Sequence, residues 1–259
     1  MTPTNLRAVG FCGADDSVDP KFLGLIAHAY PLVEFGVLFR PDKEGQPRYA
    51  SPAWVESFRH VIRQANIKAA AHLCGMRVNQ VLDGDASFLE QLSAWGFRRV
   101  QINATAVNGV DTSKLSEQAH TMIAMAQKHS ELEFILQKNQ ETEPLWQGVL
   151  DQGGDNSSIP SNITMLVDES KGTGVAASSW PSPPSEYDIG YAGGIGPDNI
   201  EKVLKDVIQA SMGRPIWIDM ESSLRSNKNG KDVFDLDKCM QVINATCQAG
   251  IMEHPSYLG

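Results

Sequence analysis

The 259-residue chain lacks an excess of basic charge, since 22 Lys and Arg residues stand against 31 Asp and Glu residues and the net charge is -9. A nucleic-acid surface needs basic residues that neutralise phosphates, so this balance argues against a nucleic-acid partner. The sequence also lacks any apolar run near the roughly 18 residues that span a bilayer, and no apolar signal segment stands at its start. We therefore expect a cytoplasmic protein with neither a nucleic-acid nor a membrane partner.

Cysteine is scarce as well, with four residues at Cys12, Cys74, Cys239 and Cys247. They lie far apart and include no Cys-x-x-Cys pair, so they predict neither a disulfide framework nor a structural zinc site. The sequence carries no signal for an oligomeric state. The expected partner is a small-molecule substrate.

Eight short apolar runs rich in β-forming residues recur about every 30 residues, which is the length of one β-α unit. Parallel strands joined by helices are buried on both faces, so near-continuous apolar runs are what such a sheet requires. The predicted strands are 8–12, 33–39, 68–74, 98–102, 133–137, 163–167, 187–192 and 215–220.

Helical patterns occupy most of the intervals between these runs, with apolar residues three and four apart. The sixth interval, 171–185, is rich in Gly, Ser, Ala and Pro and predicts a long loop that is a lid candidate. The predicted fold is one (β/α)8 TIM barrel over residues 1–259, and a doubly wound α/β sheet is the alternative. The predicted helices are 21–30, 52–65, 87–95, 112–128, 142–152, 197–210 and 235–249.

Catalytic groups of such a barrel belong at the carboxyl ends of its strands. There, Cys12 is a candidate base or nucleophile if a cation holds it as thiolate, and otherwise a small buried residue. Asp168 is a candidate general acid if burial raises its pKa, and otherwise a cap or loop anchor. The polar residues at these ends are Cys12, Arg40, His72, Gln101, Asn103, Gln137, Lys138, Asp168, Asp219 and Glu221, with Arg48 on the second loop.

A glycine turn follows the seventh predicted strand, in the stretch Ala-Gly-Gly-Ile-Gly-Pro of residues 192–197. Gly193 and Gly194 permit positive φ and close approach to a ligand, and Pro197 favours the first turn of a helix. Barrels often hold phosphate at the loops after strands seven and eight. The pattern predicts either an anion site or a tight connection without a ligand.

Six segments, in order and spacing, resemble phosphoribosylanthranilate isomerase over nearly the whole chain. The resemblance implies the barrel fold and a cofactor-free, metal-free Amadori rearrangement, an isomerisation that belongs to tryptophan biosynthesis. The segments are Val-Gly-Phe-Cys-Gly (9–13), Arg-Tyr-Ala-Ser-Pro (48–52), Val-Gln-Ile-Asn (100–103), Leu-Val-Asp (166–168), Ala-Gly-Gly-Ile-Gly-Pro-Asp-Asn (192–199) and Ile-Asp-Met-Glu-Ser-Ser (218–223).

By position, the resemblance implies that Cys12 is the general base and Asp168 the general acid. It places Arg48 at the substrate carboxylate, and Gly193 and Gly194 at the phosphate. Other substrate contacts expected at the strand ends are Gln101, Asn103, Asp219, Glu221 and Ser222.

The chain departs from the family pattern at three places near the site. Glu221 replaces the first serine after strand eight, where a carboxylate about 4 Å from a phosphate costs about 4 kcal/mol per unit charge. Asn103 stands at a histidine position and cannot take a proton. Lys171 precedes the lid glycines instead of following them.

These departures leave several functions open beside isomerisation of a sugar or sugar phosphate. The substrate can be a related, non-phosphorylated molecule, or the barrel can bind a small molecule without turnover. A third alternative is a Mg²⁺-dependent lyase that uses Asp168, Asp219 and Glu221. A fourth is a Schiff-base lyase through Lys138.

Overall fold

The computed structural model describes residues 5–152, 159–168 and 179–255. Eight parallel strands close into a barrel in the order β1 to β8, with β1 hydrogen-bonded to both β2 and β8. This closure confirms the (β/α)8 fold and excludes the doubly wound alternative. The strands are β1 (Leu6–Cys12), β2 (Val33–Phe39), β3 (Lys68–Leu73), β4 (Arg99–Ile102), β5 (Glu133–Lys138), β6 (Ile163–Val167), β7 (Ile189–Tyr191) and β8 (Ile216–Met220).

Helices surround the barrel, and three of them begin at a residue whose side chain caps the first turn. Asp19 directly precedes Pro20 and accepts a hydrogen bond from the Lys21 amide. Ser51 directly precedes Pro52 and accepts one from the Trp54 amide. The helices are α1 (Pro20–Ala29), α2 (Pro52–Ala65), α3 (Met76–Leu82), α4 (Ser87–Trp95), α5 (Ala119–Lys128), α6 (Glu143–Gln152), α7 (Ile200–Ser211) and α8 (Leu236–Gln248).

Three helical boundaries differ from the sequence prediction. The short α3 was not predicted, and residues 112–118 form a 3-10 turn and loop before α5 instead of its first turns. Helix α7 begins at Ile200, three residues after Pro197, because the intervening residues form a turn closed by Asn199. Residues 179–188 contain neither helix nor strand, whereas the lid glycines near Lys171 lie outside the described residues.

An antiparallel hairpin, β9 (Arg225–Lys228) and β10 (Lys231–Phe234), follows β8 and was not predicted. Its two-residue turn, Asn229–Gly230, has φ of 55° and 79°, which matches the Asn-Gly preference of hairpin turns. The hairpin packs beside the β1–α1 loop, where the Phe234 amide donates to the Ser17 hydroxyl. It therefore forms part of the rim at the carboxyl end of the barrel.

The apolar core lies between the strands and the helices, and a second, smaller set of side chains fills the barrel itself. The indole of Trp217 is the largest of this inner set, and only glycine fits opposite it, since a Cβ at Gly190 would lie 2.1 Å from the ring. Polar side chains occupy the rest of the barrel interior. No helix among the described residues is both long and apolar enough to cross a membrane.

Candidate active site

A cavity of about 540 Å³ opens at the carboxyl end of the barrel, where active sites of this fold are found. The residues that the resemblance and the strand ends assign to catalysis or substrate binding lie in its wall, whereas Lys138 and Arg40 do not. The assigned residues are Cys12, Arg48, Gln101, Asn103, Asp168, Gly193, Gly194, Asp219, Glu221 and Ser222, and the wall also includes Lys43, Tyr49, His72, Gln137 and Ser223.

One side of the cavity is lined by carboxamides and a carboxylate from β4, β5 and β6. Gln137 Nε2 donates to Asp168 Oδ2 at 2.9 Å, and Gln101 Nε2 donates to Asn103 Oδ1 at 2.7 Å. All four side chains are buried, so these bonds fix their orientation. This wall offers neutral donors and acceptors beside one acid, an arrangement that suits a hydroxylated ligand.

The opposite side gathers Cys12, His72 and Asp219 from β1, β3 and β8. The thiol sulfur, a ring nitrogen and a carboxylate oxygen all lie within 4.8 Å of one another. Glycines on the neighbouring strands make room for them: a Cβ at Gly10 would lie 2.3 Å from Asp219 Oδ1, and one at Gly36 would lie 2.7 Å from His72 Nε2. Sequence reasoning placed these three at strand ends but did not predict that they meet.

Burial and like charges disfavour the charged form of each group in this cluster. Burial, with Asp219 and Glu221 nearby, raises the pKa of the Cys12 thiol well above its usual range. Burial, with Glu34 and Glu221 nearby, raises the pKa of Asp219 to about 8. Burial, with the Arg99 cation, lowers the pKa of His72 to about 3. In the free protein at neutral pH, Cys12 is therefore a thiol and His72 a neutral imidazole.

Arg48, assigned to a substrate carboxylate by the resemblance, lies at the rim with its guanidinium bonded to protein groups. It donates to Glu221 Oε1 and to Ser222 Oγ, both at 3.1 Å, and to Asp232 Oδ2 at 3.4 Å. Its backbone has a φ of 77°, a left-handed conformation rare outside glycine, and its amide donates to Asp15. A ligand carboxylate would have to compete with Glu221 for this cation.

Arg225 does not provide a second cation for an anionic ligand. Its side chain is 3% exposed and donates to Asp15 Oδ2 and Asp232 Oδ1, each at 2.7 Å, and to the Gly13 carbonyl at 2.8 Å. These bonds tie the hairpin to the β1–α1 loop. Arg225 therefore serves the rim structure and does not offset the charge of Glu221.

The glycine turn after β7 does face the cavity. Gly193 and Gly194 have φ of 101° and 62°, and within the described part of the chain their amides have no acceptor. The next loop packs closely on this turn: the Ser223 hydroxyl donates to the Ile195 carbonyl, and a Cβ at Gly196 would lie 2.5 Å from Ser223 Cβ. With respect to the described residues these amides are available to a ligand, whereas the start of α7 lies outside the cavity wall.

Two alternatives from the sequence find no support in the side-chain positions. The Lys138 ammonium donates to the Tyr187 hydroxyl at 2.7 Å and lies 4.3 Å from the Trp146 ring centroid, outside the cavity wall. The proposed Mg²⁺ ligands do not form a close group in the described residues, because Glu221 turns to Arg48. The Schiff-base and oxygen-ligated magnesium mechanisms are therefore set aside.

Comparison with known proteins yields structural likeness only: no family model and no curated protein matches the chain. A phospho-2-dehydro-3-deoxyheptonate aldolase from Thermotoga maritima is 10% identical, with a TM-score of 0.52 over 95% of this chain and 68% of that one. A D-psicose 3-epimerase is 11% identical, with a TM-score of 0.50 over 90% of this chain and 93% of that one. Such likeness shows the TIM-barrel fold alone, and the isomerase resemblance holds to that extent.

Proposed function

We propose that the protein is an enzyme that isomerises a small, hydroxylated, sugar-like molecule by proton transfer within this cavity. The observation that carries the proposal is the pairing of two chemically different walls. Asp168 lies among carboxamides on one side, and Cys12, His72 and Asp219 lie on the other. A sugar bound between them would present its ring oxygen or carbonyl to one wall and a C–H bond to the other.

Asp168 is the proposed proton-transferring group. It is 6% exposed at the end of β6, a rigid element, and Gln137 holds its carboxylate at a fixed angle. The resemblance assigns the base to Cys12, a role that requires a thiolate. Because the free protein holds a neutral thiol there, this assignment requires a cation close to the sulfur.

The charges at the rim favour a substrate without a phosphate group. Glu221 neutralises Arg48, and Arg225 is committed to Asp15 and Asp232, so no unpaired guanidinium faces the Gly193–Gly194 amides among the described residues. A dianionic phosphate would meet the Glu221 carboxylate in the cavity wall. Non-phosphorylated aldoses and ketoses are therefore the preferred candidates, and the phosphoribosylanthranilate reaction is the second.

The test is proton NMR of exchange at the carbon next to the carbonyl in D₂O. Free aldoses and ketoses, their phosphates and phosphoribosylanthranilate are each incubated with chelator-treated protein and with zinc-supplemented protein. We expect deuterium incorporation into a non-phosphorylated sugar, at least 100-fold slower in Asp168→Asn. The control, Asp198→Asn, changes an exposed carboxylate outside the cavity and should keep the full rate.

Two outcomes would overturn the proposal. Saturation-transfer signals from a bound sugar without exchange under either condition would indicate a binding protein. Exchange that persists at full rate in Asp168→Asn would remove that residue from the chemistry.

A further inference from the structure

Three potential metal ligands of different chemistry meet at one side of the cavity. Cys12 ends β1, His72 lies near the end of β3, and Asp219 lies on β8 opposite Gly10 in the strand register. Their sulfur, nitrogen and oxygen atoms lie within 4.8 Å of one another. We infer that Cys12, His72 and Asp219 form a transition-metal site of the zinc class, with the ion's remaining position open to the cavity.

The donor set selects the metal. A thiolate and an imidazole suit Zn²⁺ and its neighbours Co²⁺ and Fe²⁺, whereas Mg²⁺ and Ca²⁺ require oxygen ligands. Ligand atoms around tetrahedral zinc are about 3.5 Å apart, which is close enough for small side-chain rotations to reach from the present arrangement. Three protein ligands with one vacant position are the usual composition of a catalytic zinc site.

The backbone around the cluster is shaped to hold these side chains. Gly10 and Gly36 lie on the two neighbouring strands, and a methyl group at either position would collide with Asp219 Oδ1 or His72 Nε2. His72 is 4% exposed, yet within the described residues neither ring nitrogen has a hydrogen-bond partner. Within these residues the imidazole therefore has a ring nitrogen available to ligate a metal ion.

No side-chain cation of the described residues makes an ion pair with Asp219. The guanidinium of Arg48, which also lies in the cavity wall, is bonded to Glu221 and Asp232. A divalent cation would pair with the Asp219 carboxylate and would supply the charge that a Cys12 thiolate requires.

The inference deepens the proposed function and rests on it only for the role of the ion. At the open position, the metal would polarise a carbonyl or hydroxyl oxygen of the substrate while Asp168 transfers the proton. Metal binding itself is measurable without turnover. Failure of one proposal therefore remains distinguishable from failure of the other.

The experiment is calorimetric titration of the chelator-treated, full-length protein with ZnCl₂, together with the absorption spectrum after addition of CoCl₂. We expect one equivalent of zinc and a thiolate-to-cobalt charge-transfer band in the near ultraviolet. Cys12→Ser, His72→Gln and Asp219→Asn should each weaken zinc binding more than about tenfold. Cys247→Ser and His120→Gln, which alter a partly buried thiol on α8 and an exposed imidazole on α5, should bind as the native chain does.

Three results would overturn the inference. These are a folded native protein that binds no zinc, a cobalt complex without the charge-transfer band, and zinc affinity unchanged in all three ligand variants. The cobalt spectrum of the native chain keeps the test decisive even where a variant fails to fold. Zinc binding without sugar exchange would contradict the proposed function and leave the metal site standing.

Discussion

The polar groups at the two ends of the barrel interior differ in their hydrogen-bond partners. At the amino end, Arg99 donates to Glu34 at 2.6 Å and to Glu133 at 3.0 Å, and its guanidinium lies 4.5 Å from the Trp217 ring centroid. Arg7 adds a second bond to Glu133, at 2.7 Å. At the carboxyl end, Asp219 and His72 have no hydrogen bond to any described residue. The same strands therefore carry ion-paired charges at one end, although Arg99 Nε has no hydrogen-bond partner, and polar groups that lack a described protein partner at the other.

This difference predicts that substitutions at the two ends of the barrel have different effects. A buried ion pair loses its compensation when one partner is removed, and that removal is strongly destabilising. Polar groups in the cavity wall that lack a described protein partner are available to a ligand, and the proposed metal ion would complete them. The carboxyl end of the barrel is where substitution should affect binding, and the amino end is where it should affect unfolding.

The largest expected effect is at the amino end. Arg99→Met leaves Glu34 and Glu133 buried without their shared partner and should lower the free energy of unfolding by about 3–5 kcal/mol. Arg98→Met alters the exposed neighbour and should change it by less than about 0.5 kcal/mol. Urea denaturation measures both. Equal stability of the two variants would contradict the structural role of the network.

Glu133→Gln tests the same network through its pH dependence. Burial alone would raise the pKa of Glu133, but Arg99 and Arg7 outweigh it and hold the pKa below its ordinary value. The stabilisation is therefore present above about pH 4.5 and is lost as the pH falls through the folded-state pKa. We expect the variant to be about 2–3 kcal/mol less stable at pH 7 and to approach the native chain near pH 3. A gap that stays constant with pH would show that charge is not the cause.

In the metal-free protein, Asp219→Asn should raise the free energy of unfolding, whereas the two preceding substitutions lower it. The folded-state pKa of Asp219 is raised to about 8, so native stability falls as the pH rises between the unfolded-state pKa and pH 8. The amide stays neutral, so the variant should match the native chain at pH 4. At pH 9 it should be more stable by about 1–2 kcal/mol, allowing for partial exposure. Thermal denaturation in the presence of chelator would show this divergence. Parallel pH profiles of the two proteins would show that the Asp219 charge does not destabilise the fold.

The smallest effect is expected at the hairpin. Gly230 has a φ of 79° in the turn that joins β9 to β10, so Gly230→Ala should cost about 1 kcal/mol. Lys231→Ala, at the exposed neighbouring position, serves as the control. The hairpin carries Asp232, a partner of Arg48, so the substitution should weaken this ion pair at the rim. Zinc affinity should stay unchanged. Weaker zinc binding in Gly230→Ala would show that rim and metal cluster are coupled.

The regular features of the fold were predictable from the sequence because each has a local cause. All eight strands were predicted, since buried parallel strands must be apolar on both faces. The hairpin was missed because Arg225–Lys228 carries no apolar alternation, although Asn229–Gly230 was a usable turn signal. Helix α3 was missed because its seven residues are too few for a clear period.

The sequence predicted which residues of the candidate site lie at strand ends, but it did not predict which of their side chains meet. Cys12 and Asp168 were predicted to face the barrel mouth, and both lie in its cavity wall. That His72 and Asp219 approach Cys12 depends on the strand register and on the space left by Gly10 and Gly36. Neither can be read from one sequence, because the residues that meet lie on three strands far apart in the chain.

The most direct test of this contrast is anomalous diffraction at the zinc edge from crystals of the native protein grown with ZnCl₂. We expect one strong peak between Cys12 Sγ, the His72 ring and the Asp219 carboxylate, within about 2.0–2.3 Å of each ligand atom. We expect no anomalous density beside Glu34, Arg99 and Glu133. A map with no peak at the cavity, or with zinc bound only at surface histidines, would contradict this expectation.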